Sequence, residues 1–522
     1  MKNVTEKLEY SLGDYFSPGK RIMAVNCLQF GDTGKGKFVD IFADWADIIV
    51  RCTGGDNAGH TIICNGKEKI FHLIPSGIVH DIDGKTNVIG RGTVIYPKTL
   101  IGEISLLQSE GIPCKHLKIS KDAKVITSYH ILIDRLSESR AGLAKIGTTG
   151  KGIGPCYADF IARRGISIND LLNPAIFRRK LAKNMEHVSR LLQTYSYQDI
   201  DAIMAHEHLE FGKYSNDQTG LDFEAIVNSY LAYGAILQPY VCNTDEFLQD
   251  ECGRSNILLE GAQGYLLSVD YGTYPYVTSS DCSVQGLMKG AGLEMESVGV
   301  PFGIIKGLYM TRVGAGPFPT EMGGKDSADW CNNVGTRDKE KELYADSDIN
   351  DPDEFIQGVA IRRKGHEYGA TTTRPRRTGW LDLPLLRHSL RSEANQIIMT
   401  KLDVLTGVKI IKICCSYEYQ GEDYIYGDKL IKRGDIVETA IVDPYFLDYC
   451  VPIYVEFPGW DEDIRGIRKY ADLPETLKNI LEYIFVEVEA ADLRIISVGP
   501  GPEETIFVGE EELYGDSDWE WK

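Results

Sequence analysis

Residues 29–38 read QFGDTGKGKF, a phosphate-binding loop with an altered ending. Gly31, Gly36 and Lys37 keep the G-x-x-x-x-G-K spacing, in which bare backbone amides and a lysine cradle phosphate groups. Gly34 keeps the loop free of bulk, and Lys35 adds a second positive charge. The hydroxyl residue that normally follows sits on Mg²⁺, but here Phe38 stands in that place. An acid, Asp32, lies inside the loop instead.

Four more segments carry residue types suited to the same chemistry. GGDNAGHT (54–61) is glycine-rich around one histidine, His60, the side chain best placed to exchange a proton near neutral pH. Taken alone, it reads as a turn bearing a surface histidine. IGTTGKGIGP (146–155) offers Thr148, Thr149 and Lys151 as donors in a second glycine-rich loop, with ARRG following at 162–165. Two such loops suit two phosphorylated ligands, or one ligand and a released phosphate; the alternative is a glycine-rich linker. TKLD (400–403) places Asp403 at the end of an apolar run, where a carboxylate can accept the N1–H and N2–H donors of guanine. Adenine offers no matching pair. TTTRPRRTGW (371–380) clusters three arginines, which grip carboxylates bidentately. A dicarboxylic substrate fits that cluster, and a solvated basic loop is the alternative.

These motifs need a scaffold, and apolar runs supply it. Segments 21–30, 47–55, 256–262, 300–311, 395–405, 408–419 and 493–500 read as buried strands with helical patterns between them. That predicts an α/β fold, a mostly parallel central sheet with helices on both faces. RIMAVNCLQF followed by FVDIFADWA places the first loop between a strand and a helix N-terminus, a P-loop-like phosphate site. Residues from about 155 to 250 carry polar helical patterns and predict an inserted helical subdomain. Residues from about 323 to 366 are a polar, charge-rich insertion, with DSDINDPDEF as a surface loop. Residues 1–20 read as an N-terminal extension, 21–508 as one catalytic domain, and 509–522 as an acidic tail.

The net charge of −20 argues against a nucleic-acid partner, which needs a basic face. No apolar run reaches the ~20 residues that span a bilayer, and no signal peptide is apparent, so no membrane partner and a cytoplasmic location are expected. The twelve cysteines include no C-x-x-C pair and read as reduced structural thiols without a metal.

In order, the chain carries QFGDTGKGK, GGDNAGHT, GTTGKGIGP with ARRG, EGAQGYLL with GTYPYVTSS, TRVGAGPFPTEM, EYGATTTRPRRTGWLD, TKLDVL and SVGP. Together these resemble adenylosuccinate synthetase from about residue 21 to 508. The resemblance implies a Mg²⁺-dependent ligase in which GTP phosphorylates the 6-oxygen of IMP and L-aspartate then displaces the phosphate, as part of purine nucleotide biosynthesis. Asp32 would take the N1 proton and ligate the metal, with the Gly59 carbonyl as another ligand. His60 would be the general acid, with Lys37 and Gln263 completing the catalytic set. GTP would be held by Gly31, Thr33, Gly34, Lys35, Gly36 and Lys37, by Gly59, His60 and Thr61, and around its base by Lys401, Asp403, Ser497, Gly499 and Pro500. IMP would meet Asp32, Asn57, Thr148, Thr149, Gln263, Leu267, Thr278 and Arg374. Arg163 would reach its phosphate from the other subunit, which implies a homodimer. Aspartate would meet Lys151, Val313, Thr372, Arg374 and Arg376, with 369–376 closing over it.

The chain departs from the family pattern at several points. Phe30 and Thr33 stand where the loop usually has Trp and Glu. Thr373 replaces a Gly, a strained choice if that position needs positive φ. Tyr265 and Ser268 replace Thr and Asp, and GPGPEET replaces GPDRTET. The loop also resembles that of phage aminoadenylosuccinate synthetases, which replace the catalytic Asp by Ser. The same chemistry on GMP or dGMP, with ATP as a possible donor, is therefore the second reading. A GTP-binding regulatory protein without catalysis is a remote third, because Asp32 and His60 are both present.

Overall fold

A computed structural model describes residues 20–509 except 65–66, 143–145, 208–220, 370–372 and 490. Thr372, most of the N-terminal extension and nearly all of the acidic tail therefore lie outside the described residues, as does the side chain of Thr61.

An eleven-stranded sheet organises the described residues. Its strands are β1 (Ile22–Cys27), β2 (Ile48–Gly54), β3 (Thr86–Ile95), β4 (Leu117–Ser120), β5 (Lys124–Val125), β6 (Val241–Cys242), β7 (Ile257–Glu260), β8 (Val298–Lys306), β9 (Gln396–Thr400), β10 (Asp492–Ser497) and β11 (Thr505–Phe507). The order is β11-β10-β9-β8-β1-β7-β2-β3-β4-β6, with β5 beside β3. Every pairing is parallel except β10 with β11.

The apolar runs are continuous because both sheet faces are covered. Met23 and Val25 face the helix Lys35–Ala43 and pack with its Phe38, Val39 and Phe42. Ile22 and Ala24 point the other way, into a core that contains Leu287 and Met288 of the helix Val284–Ala291. Each fully buried Val, Leu, Ile, Phe or Met side chain among these contributes roughly 1.5–3 kcal/mol. A third core joins β3 and β4 to the helices Pro174–Leu192 and Phe223–Leu237.

The run 408–419 does not enter the central sheet. It forms Ile410–Tyr419 in a second, five-stranded sheet with Tyr309–Arg312, Arg377–Asp382, Ile436–Val437 and Cys450–Pro458. Tyr309–Arg312 follows β8 almost directly, so this sheet carries the arginine-rich segment to the end of the central one. Within 323–366, the stretch 346–353 is a loop, while Gly324–Asp329, Arg337–Leu343 and Glu354–Lys364 are helical. No helix among the described residues is long and apolar enough to cross a membrane.

Candidate active site

The segments singled out by sequence follow the C-terminal ends of parallel strands: 28–34 after β1, 55–59 after β2, 261–263 after β7, 401–403 after β9 and 498–504 after β10. In an open α/β sheet this edge is where ligands bind.

The phosphate loop is bent by three positive φ values: Gly31 at 85°, Asp32 at 53° and Gly34 at 81°. Gly34 caps the helix Lys35–Ala43 in the left-handed conformation, so the helix N-terminus and its amides face the loop. Gly264 backs the loop closely. A Cβ there would lie 2.2 Å from the Gln29 carbonyl and 2.6 Å from the Gly31 nitrogen, so only glycine fits. Both unusual loop residues are packed inside. Phe30 is buried, with the Arg312 guanidinium 4.2 Å over its ring and Phe318 at its edge. Thr33 is buried, and its carbonyl accepts from the Thr400 hydroxyl at 3.0 Å.

The two loop lysines part company. Lys35 Nζ donates to the Gln263 carbonyl at 2.5 Å, and its charge reaches both Asp32 and His60. Lys37 Nζ donates to Ser497 Oγ and the Gly499 carbonyl, both at 2.8 Å, and to the Glu504 carbonyl at 3.1 Å. Burial lowers its pKa to about 8 despite Glu504 and Asp403 nearby. Lys35 therefore lies beside Asp32 and His60, while Lys37 is held against the wall built by the end of β10.

Asp32 sits among cations. Its Oδ2 lies 2.7 Å from Arg376 Nε, and the side chain stays 39% exposed. Burial pushes its pKa up, but Arg376, Lys306 and Lys35 outweigh that and hold it below the usual carboxylate value. Gln263, at φ 51°, has both amide atoms buried without a hydrogen-bond partner. A buried amide needs hydrogen-bond partners, and Gln263 places its amide at this edge.

His60 is buried rather than presented at a surface. Its Nδ1 contacts Glu260 Oε1, and Arg51 Nη1 lies 2.8 Å from Nδ1 and 3.1 Å from Nε2. Glu260 also accepts from the Ser76 backbone amide at 2.9 Å and from its hydroxyl at 2.6 Å. Burial, then Arg51, lower the His60 pKa to about 4, and only Glu260 opposes them. The ring is therefore neutral at pH 7. The unfolded chain gains a His60 proton near pH 6.5 that the folded chain refuses until about 4, so stability is full above that window and falls within it as pH drops. His60→Asn is expected to flatten the fall in Tm between those two pH values, and a calorimetric pH series measures it.

The remaining candidates fall in three groups. Thr148 donates to Asp134 Oδ1 at 3.0 Å, and the Gly152 amide donates to Asp134 Oδ2 at 2.9 Å, which shapes the second glycine-rich loop. Thr149 is exposed on it, and Lys151 lies 4.0 Å from the buried Asp56. Arg163 is exposed at φ 62°. Asn57 is half-buried and its Oδ1 accepts from the Gly55 amide at 3.1 Å, while the Leu267 carbonyl accepts from the Thr278 amide at 2.8 Å. On the other side, half-buried Asp403 feels Lys401, Arg465 and Glu504, while burial raises its pKa. Pro500 is exposed at the end of the β10 wall. Lys401 Nζ is turned to Glu367 Oε1 and the Gly365 carbonyl, both at 2.8 Å. Val313 and Arg374 are exposed, and Gly59 is exposed at the end of the loop after β2.

Sequence reasoning missed Arg51, Glu260, Lys306 and Glu367. Lys306 is wholly buried, donates to Glu367 Oε2 at 2.6 Å, and is lowered to about 8 by burial. For Arg51, Glu260 and Lys306 the available signal was a charged residue interrupting an otherwise apolar strand.

The family model for adenylosuccinate synthetase matches residues 24–506. The chain is 40% identical over 481 residues to the adenylosuccinate synthetase of Halothermothrix orenii, covering 92% of this chain and 96% of that protein. Among solved structures, fully ligated adenylosuccinate synthetase from Plasmodium falciparum is similar with a TM-score of 0.75 and 30% identity, over 94% of this chain and all of that one. A cyanophage S-2L succinoaminodeoxyadenylate synthetase, bound to dGMP and dATP, shares the fold at a TM-score of 0.50 and 15% identity, over 94% and 95% of the two chains.

Proposed function

Because the chain belongs to the adenylosuccinate synthetase family, and so is a ligase that forms a C–N bond, we propose that it joins L-aspartate to IMP at the expense of GTP. The observation that carries this reading is the meeting of Asp32, Arg376, Lys35 and the unpaired Gln263 amide at one sheet edge. In the first step Asp32 takes the proton from N1 of the base, and the 6-oxygen attacks the γ-phosphorus as the bond to GDP breaks. Gln263 supplies the amide contact to the purine. Lys35 faces the charge that develops on the transferred group, and His60 flanks it, its ring held by Glu260 and Arg51. In the second step the amino nitrogen of aspartate attacks C6 and inorganic phosphate leaves.

Arg376 serves two carboxylates in turn. Paired with Asp32, it keeps the base weak; a substrate carboxylate that takes over the guanidinium frees Asp32 to accept a proton. Arg374 and Val313 extend that carboxylate site. Asp403 reads the guanine edge, and Ser497, Gly499 and Pro500 form the wall beside it.

The donor set suits Mg²⁺. Asp32 keeps an exposed oxygen and Gly59 offers a carbonyl, and such hard oxygen ligands hold Mg²⁺ together with substrate phosphates. When bound, the ion neutralises charge on the β- and γ-phosphates.

The assay pairs IMP, GMP and dGMP with GTP or ATP in the presence of aspartate and Mg²⁺, with products identified by mass. Adenylosuccinate and GDP from IMP and GTP are expected. Product from GMP or dGMP alone would replace IMP as the substrate. Phe30 and Thr33, the loop departures behind that alternative, are both buried.

A homodimer with Arg163 acting in trans predicts complementation. Arg163→Leu and an Asp32 variant, each inactive, regain roughly a quarter of wild-type activity when subunits exchange at equal ratio, because one site in each mixed dimer is intact. Proven exchange without recovery refutes the shared site.

A further inference from the structure

The segment before the arginine loop, outside the motifs assigned above, contacts that loop at two backbone points. Arg337 opens the helix Arg337–Leu343, and its amide donates to the Thr373 carbonyl at 3.0 Å. The first amides of a helix lack partners within it, so the loop satisfies one of them. Thr373 is β-branched yet sits at φ 52°, a conformation it adopts only when held there. Three residues on, Glu340 acts on the same loop through Arg362. Arg362 Nη1 donates to the Arg376 carbonyl at 3.0 Å, and Arg376 carries the ion pair to Asp32.

Glu340 and Arg362 are buried together, 0% and 1% exposed. Arg362 Nε lies 2.9 Å from Glu340 Oε1 and 3.1 Å from Oε2, with Nη2 2.7 Å from Oε1. Trp330 Nε1 donates to Oε1 at 2.8 Å, and the Tyr368 hydroxyl donates to Oε2 at 2.7 Å. Both carboxylate oxygens are thus filled, and the guanidinium has one orientation, which aims Nη1 at the loop. A polar insertion that served only as surface would have no use for a fully satisfied buried pair.

We infer that the helix Arg337–Leu343 braces the arginine loop and that Glu340 is a positioning residue for the dicarboxylate site, acting through Arg362 on the Arg376 carbonyl. The inference rests on the proposed reading in which Arg376 receives the carboxylates of aspartate. A braced loop presents its guanidinium groups already arranged, so the substrate need not order them. Without the brace, the competent arrangement is populated only part of the time, and apparent affinity falls by that fraction.

The test is steady-state kinetics of full-length Glu340→Gln and Tyr368→Phe, with each of the three substrates varied in turn. An amide cannot fill both sets of Arg362 donors, so Glu340→Gln is expected to raise KM for aspartate about tenfold. KM for the purine nucleotide and for GTP, and kcat at saturating aspartate, stay within about twofold. Tyr368→Phe, which removes one donor only, raises KM for aspartate about two- to threefold. A merely structural role lowers the folded fraction and hence kcat, leaving KM for aspartate where it was. Unchanged KM for aspartate in the folded variants, or an equal rise for all substrates, overturns the brace; if Glu340→Gln does not fold, Tyr368→Phe decides. Wild-type protein that consumes no aspartate with any purine nucleotide overturns the underlying reading instead, and that control separates the two failures.

Discussion

Asp32→Asn is expected to lower kcat by about 10³- to 10⁴-fold, since it removes the proposed general base and the charge of the proposed metal ligand together. Asparagine is the informative replacement. It tolerates the left-handed conformation that the backbone adopts at φ 53°, so the loop keeps its path. The side chain it replaces is 39% exposed while its partner Arg376 is 13% exposed, so solvent screens the pair only in part and its loss costs about 1–2 kcal/mol. Tm should therefore move by no more than about 2–4 °C. Near-wild-type turnover in a folded Asp32→Asn protein would sink the proposed first step. A large fall in Tm would show that Asp32 is structural, and the kinetics would then say nothing of a base.

The fold was legible where physics repeats itself along the chain. Strands β1, β2, β7, β9 and β10 are continuous apolar runs because helices cover both faces of the sheet. Strand β3 was not legible, since Gly90 and Gly92 interrupt it. The reason lies in tertiary packing: a Cβ at Gly90 would meet the Gly290 carbonyl at 2.5 Å, and one at Gly92 would meet the Cys52 carbonyl at 2.3 Å. The helix Val284–Ala291 lies too close to the sheet for side chains there, and no local pattern announces that contact. Run 408–419 looked like another central strand because a strand covered on two faces reads alike in either sheet.

The site divided in the same way. Glycine-rich loops announce themselves, because few other sequences supply free amides and positive φ in close succession. Arg51, Glu260 and Lys306 were hidden because each is one charged letter in an apolar strand, and its partner comes from a distant segment: Glu260 is 200 residues from His60. Glu340 and Arg362 were hidden for the opposite reason. A charge-rich stretch reads as solvated, and only the fold reveals that two of its charges neutralise each other in the interior. The buried Glu367 joins several parts of the site, accepting from Lys306 and Lys401 while its carbonyl receives the Arg376 amide at 2.9 Å. The Lys401 end of β9 and the arginine loop thus share one carboxylate residue.

Asp403→Asn is expected to change which nucleotide donates the phosphoryl group. Guanine presents N1–H and N2–H as adjacent donors, and a carboxylate accepts both. Asparagine offers one acceptor and one donor, so it keeps the N1–H bond and turns an N–H toward the 2-amino group. That loses a charge-assisted hydrogen bond and adds a repulsive contact, which together lower kcat/KM for GTP by about 10²- to 10³-fold. Xanthine carries a carbonyl where guanine carries the amine, so the same variant pairs with it and repels it less than the wild type does. Burial raises the pKa of Asp403 even with Lys401 and Arg465 nearby, and at a half-buried carboxylate water compensates only in part for a mispaired edge. The measurement is the ratio of kcat/KM for GTP to that for XTP, in wild type and variant, with ATP as a control that should stay poor in both. A ratio that inverts assigns the base-reading role to Asp403. A ratio unchanged from wild type removes Asp403 from the base and leaves donor choice to the wall formed by Ser497 and Gly499, against which Lys37 is held.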